Sequence, residues 1–268
     1  MNRRGGGDFS GGMIKNNKPG EYSPLFGFLG VLFLLFLWEL ASRFSGSILL
    51  FPGPLPVFIR FAALITTETF LRSLGNSFVR VVLGILISVP LGIFAGIAAG
   101  LDKRAAALFR PLFSVIAATP VMAVILIAFL WLGSERTPIF TAFLMVFPVM
   151  AANTMTGIGA VDPRLVEVLR VYRLSRAETL RRLYIPTLVP FILGGLRGSL
   201  SLCWKVVVAA EVLVQPVRSL GTGMQQAKAQ LETPELFAWT AATVFAAALS
   251  QALLSLLLSA LKKRGGTS

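Results

Sequence analysis

The stretch DPRLVEVLRVYRLSRAETLRRLYIP, residues 162–186, is the longest polar segment between two hydrophobic ones in this sequence. Asp162 can cap a helix through its carboxylate, and Pro163 has the fixed φ that suits the first helical position. The segment is strongly basic and contains six arginines: Arg164, Arg170, Arg173, Arg176, Arg181 and Arg182. Since apolar spans flank it on both sides, we expect a loop that emerges from a membrane.

The same segment contains a second helix start. Ser175 and Glu178 have the spacing of a capping box, in which each side chain bonds the other residue's backbone N–H. Leucines at helical spacing follow. Pro186 is expected to end this second helix, because proline lacks the N–H that a helix interior needs. The segment therefore predicts a rigid, basic hairpin of two short helices, suited to contact a partner.

The composition is that of an integral membrane protein. Hydrophobic residues make up 55% of the chain, the mean hydropathy is +0.78 and only 14% of the residues are charged, whereas soluble domains have about 25% charged residues. The net charge is +13, but the basic residues lie mainly between and beyond the apolar spans. That distribution is typical of membrane topology, so we expect no nucleic-acid partner.

Six apolar spans are long enough to cross a bilayer as helices. They lie at about residues 25–40, 74–99, 112–132, 138–157, 189–213 and 236–261. Between the spans, we predict a rigid turn at residues 51–56, an amphipathic surface helix at residues 57–72 and a polar irregular segment at residues 214–235. The pattern predicts an all-α integral membrane protein with six transmembrane helices.

Three regions follow from this pattern: a disordered basic tail at residues 1–24, a transmembrane domain at residues 25–261 and a tail at residues 262–268. A signal peptide at the N-terminus is the alternative, but the apolar run is too long and lacks a small-residue cleavage site. Most lysines and arginines fall on one side when both termini are placed in the cytoplasm. The positive-inside rule thus predicts a multi-pass inner-membrane protein with the termini and the 162–186 loop in the cytoplasm.

The sequence lacks the residues of several kinds of chemistry. It has no histidine, and its single cysteine, Cys203, lies in an apolar span, so neither a zinc motif nor an intrachain disulfide is expected. It also lacks a GxxxxGK[ST] phosphate loop, so we expect ATP hydrolysis on another polypeptide. We predict no catalytic, metal-binding or cofactor-binding residues and no enzymatic activity.

The fifth span carries three ionisable residues, Arg197, Lys205 and Glu211. At about 100° per residue they fall within an arc of about 120°, so they can share one helix face. Ionisable groups inside a membrane often mark solute paths, and basic groups on such a path suit an anion. Alternatively, Arg197 snorkels to the interface while Glu211 caps the far end of the helix or holds a loop.

Small residues are frequent in the second span, where they allow close helix packing in lipid. They are Gly75, Gly84, Gly92, Gly96 and Gly100. Prolines lie well inside the second, third and fourth spans, at Pro90, Pro120 and Pro148 respectively. These prolines can serve as hinges for alternating access or as static kinks, and the sequence favours neither.

The 162–186 loop resembles the EAA loop of ABC-importer permeases, in which Glu-Ala-Ala, three residues, Gly and nine further residues lead to Ile-x-Leu-Pro. Glu167 takes the first position, and Pro186 ends the segment Leu-Tyr-Ile-Pro at the matching distance. Val168 and Leu169 replace the two alanines, and Arg173 replaces the glycine. We therefore expect the turn between the two helices to differ in detail.

Further motifs, in the same order and spacing, resemble the nitrate/sulfonate/taurine-type branch of these permeases over about residues 25–260. They are Phe51-Pro52-Gly53-Pro54, Ser73-Leu74-Gly75, Pro90-Leu91-Gly92, Thr119-Pro120, Trp131-Leu132-Gly133, Phe147-Pro148, Val161-Asp162-Pro163, Gly195-Leu196-Arg197, Ala210-Glu211 and Ser219-Leu220-Gly221. The resemblance implies the type I permease fold and a homodimer in the membrane. It also implies two separate partners: an ATPase with a groove for each cytoplasmic loop, and a binding protein that delivers a small solute.

The residues expected to couple the loop to the ATPase are Glu167, Leu165, Leu169, Tyr172, Arg173, Ser175, Glu178 and Pro186. Three of them, Leu165, Leu169 and Tyr172, form an apolar helix face of the kind that docks in a groove. The loop arginines can pair with acidic groups of the partner or with lipid phosphates. Alternatively, they only set the topology and touch headgroups.

Other classes of protein explain the sequence less well. An ion-driven secondary transporter would leave the EAA-like loop without a role, and a purely structural membrane protein would not need it. A membrane-embedded enzyme would need paired acidic residues or metal ligands in its spans. The expected solute is a small anion, such as nitrate, a sulfonate or a taurine-like compound, or else a vitamin precursor, and the sequence does not choose among them.

Overall fold

The computed structural model describes residues 24–265, whose regular structure is helical. The helices are α1 Pro24–Ser45, α2 Pro54–Leu64, α3 Glu68–Leu101, α4 Lys103–Ala118, α5 Val121–Gly159, α6 Pro163–Val171, α7 Arg176–Thr179, α8 Ile185–Val214, α9 Leu220–Ala229 and α10 Thr233–Gly265, and a π-helical segment, Leu180–Tyr184, joins α7 to α8. Residues 1–23 and 266–268 of the two predicted tails lie outside the described residues. Residues 262–265, predicted to belong to the C-terminal tail, continue α10.

Within the described range, five helices are long and apolar enough to cross a membrane. They span Leu25–Ser45, Glu68–Leu101, Val121–Gly159, Ala177–Val214 and Thr233–Ala260. The third of these, α5, has 39 residues. A straight helix of that length would extend about 58 Å, nearly twice the bilayer's hydrocarbon core of about 30 Å.

α5 is in fact divided at Gly133, whose φ of 68° lies outside the helical range. The ring of Phe113 in α4 lies 5.7 Å from the ring of Phe147 in the second part of α5. A straight α5 would carry Phe147 far from α4, so the chain must reverse at Gly133. α4 and the first part of α5 together therefore form the predicted third span, interrupted at Pro120 as expected. The six predicted spans are present, the third as two helices.

The segments between the spans are more helical than predicted. α2 begins at Pro54, inside the predicted rigid turn, because proline suits the first turn of a helix. α2 ends at Leu64, so the prediction of one surface helix over residues 57–72 is wrong. The reason is a new helix start: the Thr67 side chain accepts a hydrogen bond from the Phe70 backbone N–H and caps α3.

The segment at residues 214–235 was predicted to be irregular, but it contains α9. The Ser219 hydroxyl caps this helix by accepting a hydrogen bond from the Thr222 N–H at 3.0 Å. Gly223, which in the sequence is typical of a loop, lies instead at a close helix contact. A Cβ at this position would lie 2.5 Å from the Trp239 ring of α10.

Small residues of α3 bring that helix directly against the second part of α5, as predicted for the second span. Four of the five glycines noted in that span make this contact: Gly84, Gly92, Gly96 and Gly100. At Gly96 a Cβ would lie only 2.5 Å from the carbonyl oxygen of Ala151. The fifth glycine, Gly75, faces open space.

The core lies between α3, α5, α8 and α10, where Met150, Trp204 and Trp239 are buried together. α1 is peripheral, and the apolar side chains along it are exposed, as expected for a helix that faces lipid. Its anchor is Trp38, whose ring stacks on Phe237 of α10. The bundle formed by the other helices positions the 162–186 loop at one end and a cluster of charged residues toward the other.

Candidate functional site

The 162–186 loop begins with the capped helix that the sequence predicts. The Asp162 carboxylate accepts a hydrogen bond from the Arg164 N–H at 2.8 Å and caps α6. Pro163 occupies the first turn. A backbone N–H there has no partner within the helix, so the missing N–H of proline costs no hydrogen bond. The start of the loop is thus fixed directly where α5 ends.

α6 ends in a Schellman motif centred on Arg173. The Leu174 N–H bonds the Leu169 carbonyl at 3.1 Å, and the Arg173 N–H bonds the Arg170 carbonyl at 2.9 Å. Arg173 has a φ of 55°, a left-handed conformation that favours glycine. The EAA pattern has glycine at this position, and the conformation gives the physical reason. Arginine occupies this left-handed position in place of the glycine, and the expectation that the turn differs in detail stays a prediction.

The second part of the loop starts with the predicted capping box. The Glu178 carboxylate accepts the Ser175 N–H at 3.0 Å, and the Ser175 hydroxyl accepts the Glu178 N–H at 3.2 Å. The prediction that Pro186 ends this helix is wrong, because the chain stays helical into α8. A π-helical turn precedes the proline, in which the Ile185 N–H bonds the Leu180 carbonyl. This wider turn changes the hydrogen-bonding register just before the proline.

The predicted apolar face of α6 is largely exposed. Tyr172 is 76% exposed and Leu165 is about half exposed, as is the neighbouring Val168. Leu169 is half-buried. The hydrophilic Glu167 is exposed on a different side of the same helix. The remaining predicted coupling residues, Arg173, Ser175, Glu178 and Pro186, are all exposed on the same loop.

A buried cluster of charged and polar residues lies near the other end of the bundle. Glu211 of α8 is 0% exposed, and its carboxylate accepts hydrogen bonds from Arg80 Nη1 at 2.9 Å and from the Ser77 hydroxyl at 2.8 Å. Arg80 is also buried, and its Nη2 donates to Glu135 at 2.6 Å. We call Ser77, Arg80, Glu135 and Glu211 the ion cluster.

The N-terminus of α9 completes the ion cluster. The Gly221 N–H donates to the Glu211 carboxylate at 3.2 Å, and the Leu220 N–H donates to the Ser77 hydroxyl at 3.0 Å. These N–H groups lie in the first turn of α9, where they have no partner within the helix and where the helix dipole favours a negative charge. A Cβ at position 221 would lie 2.5 Å from the Glu211 Cβ, so only glycine allows this approach.

Glu135 extends the ion cluster to the surface. It follows the chain reversal in α5, is half exposed and accepts the Val217 N–H at 2.8 Å in addition to its bond with Arg80. The cluster thereby joins α3, α5, α8 and the segment before α9. Ser77, Arg80 and Glu135 were not among the residues predicted from the sequence. Arg80 could have been identified from the sequence, because an arginine inside a membrane span needs an acidic partner.

The three predicted path residues of α8 do not lie together. Arg197 and Lys205 are exposed, whereas Glu211 turns into the ion cluster. Gly194 and Gly198 lie next to Arg197 on its exposed side, and a Cβ added at either position would meet no atom within 4 Å. α8 thus carries an open face with two basic residues, and the assignment of all three residues to a solute path stays a prediction.

The structure is a bundle of long apolar helices with a capped helical loop at one end, and comparison with known proteins assigns its class. The sequence pattern of the family described as "binding-protein-dependent transport system inner membrane component" matches residues 88–264. The chain belongs to this family and is an inner-membrane permease of the ABC-importer type.

Relatives cover most of the chain. A Brucella melitensis protein named "Probable ABC transporter permease protein" is 34% identical over 201 residues, which is 75% of this chain and 80% of the relative. The taurine transport system permease protein of Escherichia coli is 29% identical over 244 residues, 89% of this chain and 86% of the relative. A bicarbonate transport system permease protein of Synechococcus elongatus is 30% identical over 216 residues, 74% of each chain.

Solved structures share the fold. The crystal structure of an amino acid ABC transporter aligns with a TM-score of 0.60 at 19% identity, covering 76% of this chain and 97% of the other. The crystal structure of a bacterial alginate ABC transporter, in complex with its alginate-bound periplasmic protein, aligns with a TM-score of 0.58 at 18% identity. That alignment covers 91% of this chain and 96% of the other.

Proposed function

We propose that this permease imports a small anion and is driven by a separate ABC ATPase, which docks on the 162–186 loop. The observation that carries the proposal is the exposed apolar face of α6. A helix of nine residues that is capped at both ends holds Leu165, Val168 and Tyr172 in the open. Exposed apolar faces of this kind are typical of helix-in-groove docking.

The loop is suited to transmit movement between an ATPase and the membrane helices. Its first helix follows α5 after a short turn, and its second part is continuous with α8. The Schellman motif at Arg173 and the capping box at Ser175 leave little freedom between the two parts. A displacement of α6 is therefore passed to the long helices α5 and α8 rather than absorbed in a flexible connection.

The solute class is inferred from two features. The taurine and bicarbonate permeases are named for small solutes that carry a sulfonate group and a bicarbonate charge, and α8 carries the open basic face with Arg197 and Lys205. In this proposal that face lines the path, within a homodimer that a solute-binding protein supplies from outside. The positive-inside rule favours a cytoplasmic position for both termini and for the 162–186 loop, where the ATPase is available.

A binding measurement tests the docking face. The full-length permease is immobilised in lipid nanodiscs, and a candidate partner ABC ATPase is titrated onto Leu165→Asp, Tyr172→Asp and the wild type. Because a buried leucine side chain contributes about 1.5–3 kcal/mol, we expect each variant to bind about tenfold or more weakly. These positions are preferable to Leu169, whose side chain is already half-buried.

The matched control is Leu231→Asp, which introduces the same charge at a residue that is 73% exposed in the turn between α9 and α10. Leu231 lies toward the opposite end of the bundle, so its variant is expected to bind the ATPase like the wild type. Equal binding by all four proteins would show that α6 is not the docking element. Equal weakening by Leu231→Asp would show that the assay reports a general effect of charge.

A further inference from the structure

A cavity lies between the 162–186 loop and the ends of the long helices. Its volume is about 800 Å³. Much of its wall is apolar, with Ile97 and Leu101 from α3, Ile158 from α5 and Leu188 from α8. A second cavity of about 490 Å³ lies beside it and shares Leu101 and Ile158.

The polar part of the wall comes from the loop itself and is basic. Arg170 and Arg173 contribute the charge, and Thr179 and Tyr184 contribute hydroxyl groups. Glu167 lines the smaller cavity rather than the larger one. The larger cavity is thus apolar toward the helix bundle, and toward the loop it combines two arginines with the apolar side chains of Val166, Leu174 and Leu180.

We propose that this cavity binds an anionic phospholipid. Its acyl chains would lie against Ile97, Ile158 and Leu188, and its phosphate would accept hydrogen bonds from Arg170 and Arg173. Basic pockets between transmembrane helices at the membrane surface are suited to anionic headgroups, and arginine binds phosphate oxygens through two parallel N–H donors. The cavity lies where transmembrane helices end, which is the depth of lipid headgroups.

The geometry of α6 leaves this site free when the apolar face is occupied. Val166 and Arg170 line the cavity, whereas Leu165 and Tyr172 are on the exposed face. At 100° per residue, the directions of these two pairs differ by about 130°. A lipid on one side of α6 and a protein on the other can therefore bind together. The lipid would fill the space between the loop and the ends of the long helices, and would thereby support the loop.

The experiment compares lipid binding by native mass spectrometry on the purified full-length permease. Phosphatidylglycerol and phosphatidylcholine with the same acyl chains are titrated separately. The wild type is expected to retain phosphatidylglycerol preferentially. In Arg170→Gln/Arg173→Gln we expect that preference to fall about 30-fold, given the usual contribution of two basic groups near an anionic surface. The charge-matched control, Arg164→Gln/Arg181→Gln, removes two exposed loop arginines that do not line the cavity and is expected to resemble the wild type.

Two further variants separate binding from folding. Arg170→Lys/Arg173→Lys keeps the charge and should restore most of the preference, and Ile97→Trp fills the apolar part and should lower retention of both lipids.

Equal retention of the two lipids by the wild type would overturn the proposal, as would an equal loss in the Arg164→Gln/Arg181→Gln control. Full displacement of phosphatidylglycerol by inorganic sulfate would assign the site to a free anion, and displacement by the bound ATPase would assign it to that protein. The ATPase titration on the exposed face is a separate measurement, so either proposal can fail alone.

Discussion

The guanidinium of Arg80 lies 2.9 Å from the carboxylate of Glu211, and both side chains are buried, at 6% and 0% exposure. The two residues are 131 positions apart in the chain and join α3 to α8. Each charge would be costly alone in this environment, so the pair is stable only because both are present and both have further partners. The ion cluster thereby specifies how these helices and α9 meet.

Removal of one member of this pair is expected to destabilise the protein strongly. In Arg80→Ala the Glu211 carboxylate keeps Ser77 and Gly221 as donors but loses its positive partner. We expect the free energy of unfolding to fall by about 3–5 kcal/mol, as for other broken buried pairs. Thermal unfolding in detergent, followed by the fluorescence of the buried tryptophans, measures this loss.

The control for that variant is an exposed pair. Arg60 bonds Glu235 at 2.7 Å, but the Arg60 side chain is 47% exposed, so Arg60→Ala is expected to cost about 1 kcal/mol or less. A double variant, Arg80→Met/Glu211→Leu, should recover much of the stability lost in Arg80→Ala, because it leaves no unpaired charge at the Arg80–Glu211 contact. Equal losses for Arg80→Ala and Arg60→Ala would contradict the structural role of the ion cluster.

The features of the 162–186 loop that the sequence predicted correctly are those that depend on neighbouring residues. The Asp162 cap and the Ser175–Glu178 box need only a spacing of two or three positions. The apolar face of α6 likewise follows from helical periodicity. The prediction for Pro186 failed because the tolerance of this proline depends on the π-helical turn before it, and the sequence has no simple marker for such a turn.

Helical periodicity alone could not place Glu211. It sets the angle between Glu211 and Arg197 on α8, but not which of the two faces the bundle. That choice depends on Ser77, Arg80 and the first N–H groups of α9, which are distant in the chain. The same limit applies to α9, where glycine suggests a loop although the missing side chain of Gly221 serves a tertiary contact.

A matched pair of glycine variants tests the packing of α3. In Gly96→Ala the new methyl carbon would lie 2.5 Å from a backbone oxygen of α5, so the helices must move apart, at a cost of about 1–3 kcal/mol. In Gly75→Ala the methyl group meets open space, and the helix should gain about 0.5–1 kcal/mol. Thermal unfolding of both variants in detergent gives the comparison. A loss of stability in Gly75→Ala as large as that in Gly96→Ala would show that the effect is not due to packing.

The left-handed residue in the loop leads to a stabilising substitution. Arg173→Gly removes the steric strain of a side chain at a φ of 55° and restores the glycine of the EAA pattern. We expect stronger protection of the Leu174 amide in hydrogen exchange, because that N–H closes the Schellman motif. Arg181→Gly, with glycine in a helical turn, should instead weaken protection locally. Unchanged exchange at Leu174 would show that Arg173 adopts this conformation without strain.

The open face of α8 leads to a prediction about transport. Arg197→Gln and Lys205→Gln remove positive charge from the proposed path while leaving the 162–186 loop and the ion cluster intact. For a solute such as taurine or bicarbonate, we expect the uptake rate of proteoliposomes containing the permease, its ATPase and its binding protein to fall about tenfold for the double variant, equivalent to about 1.4 kcal/mol. ATPase binding should not change, because the loop is untouched.

The control for the transport prediction is Lys228→Gln, which removes the same charge from an exposed residue in the last turn of α9. Uptake by this variant should match the wild type if the effect depends on position rather than on net charge. If instead the Arg197→Gln/Lys205→Gln variant transports normally, these two residues do not line the solute path. Selection for the anion would then lie with the binding protein, since the buried Glu211 is already satisfied by Arg80, Ser77 and Gly221 and offers no charge to a passing solute.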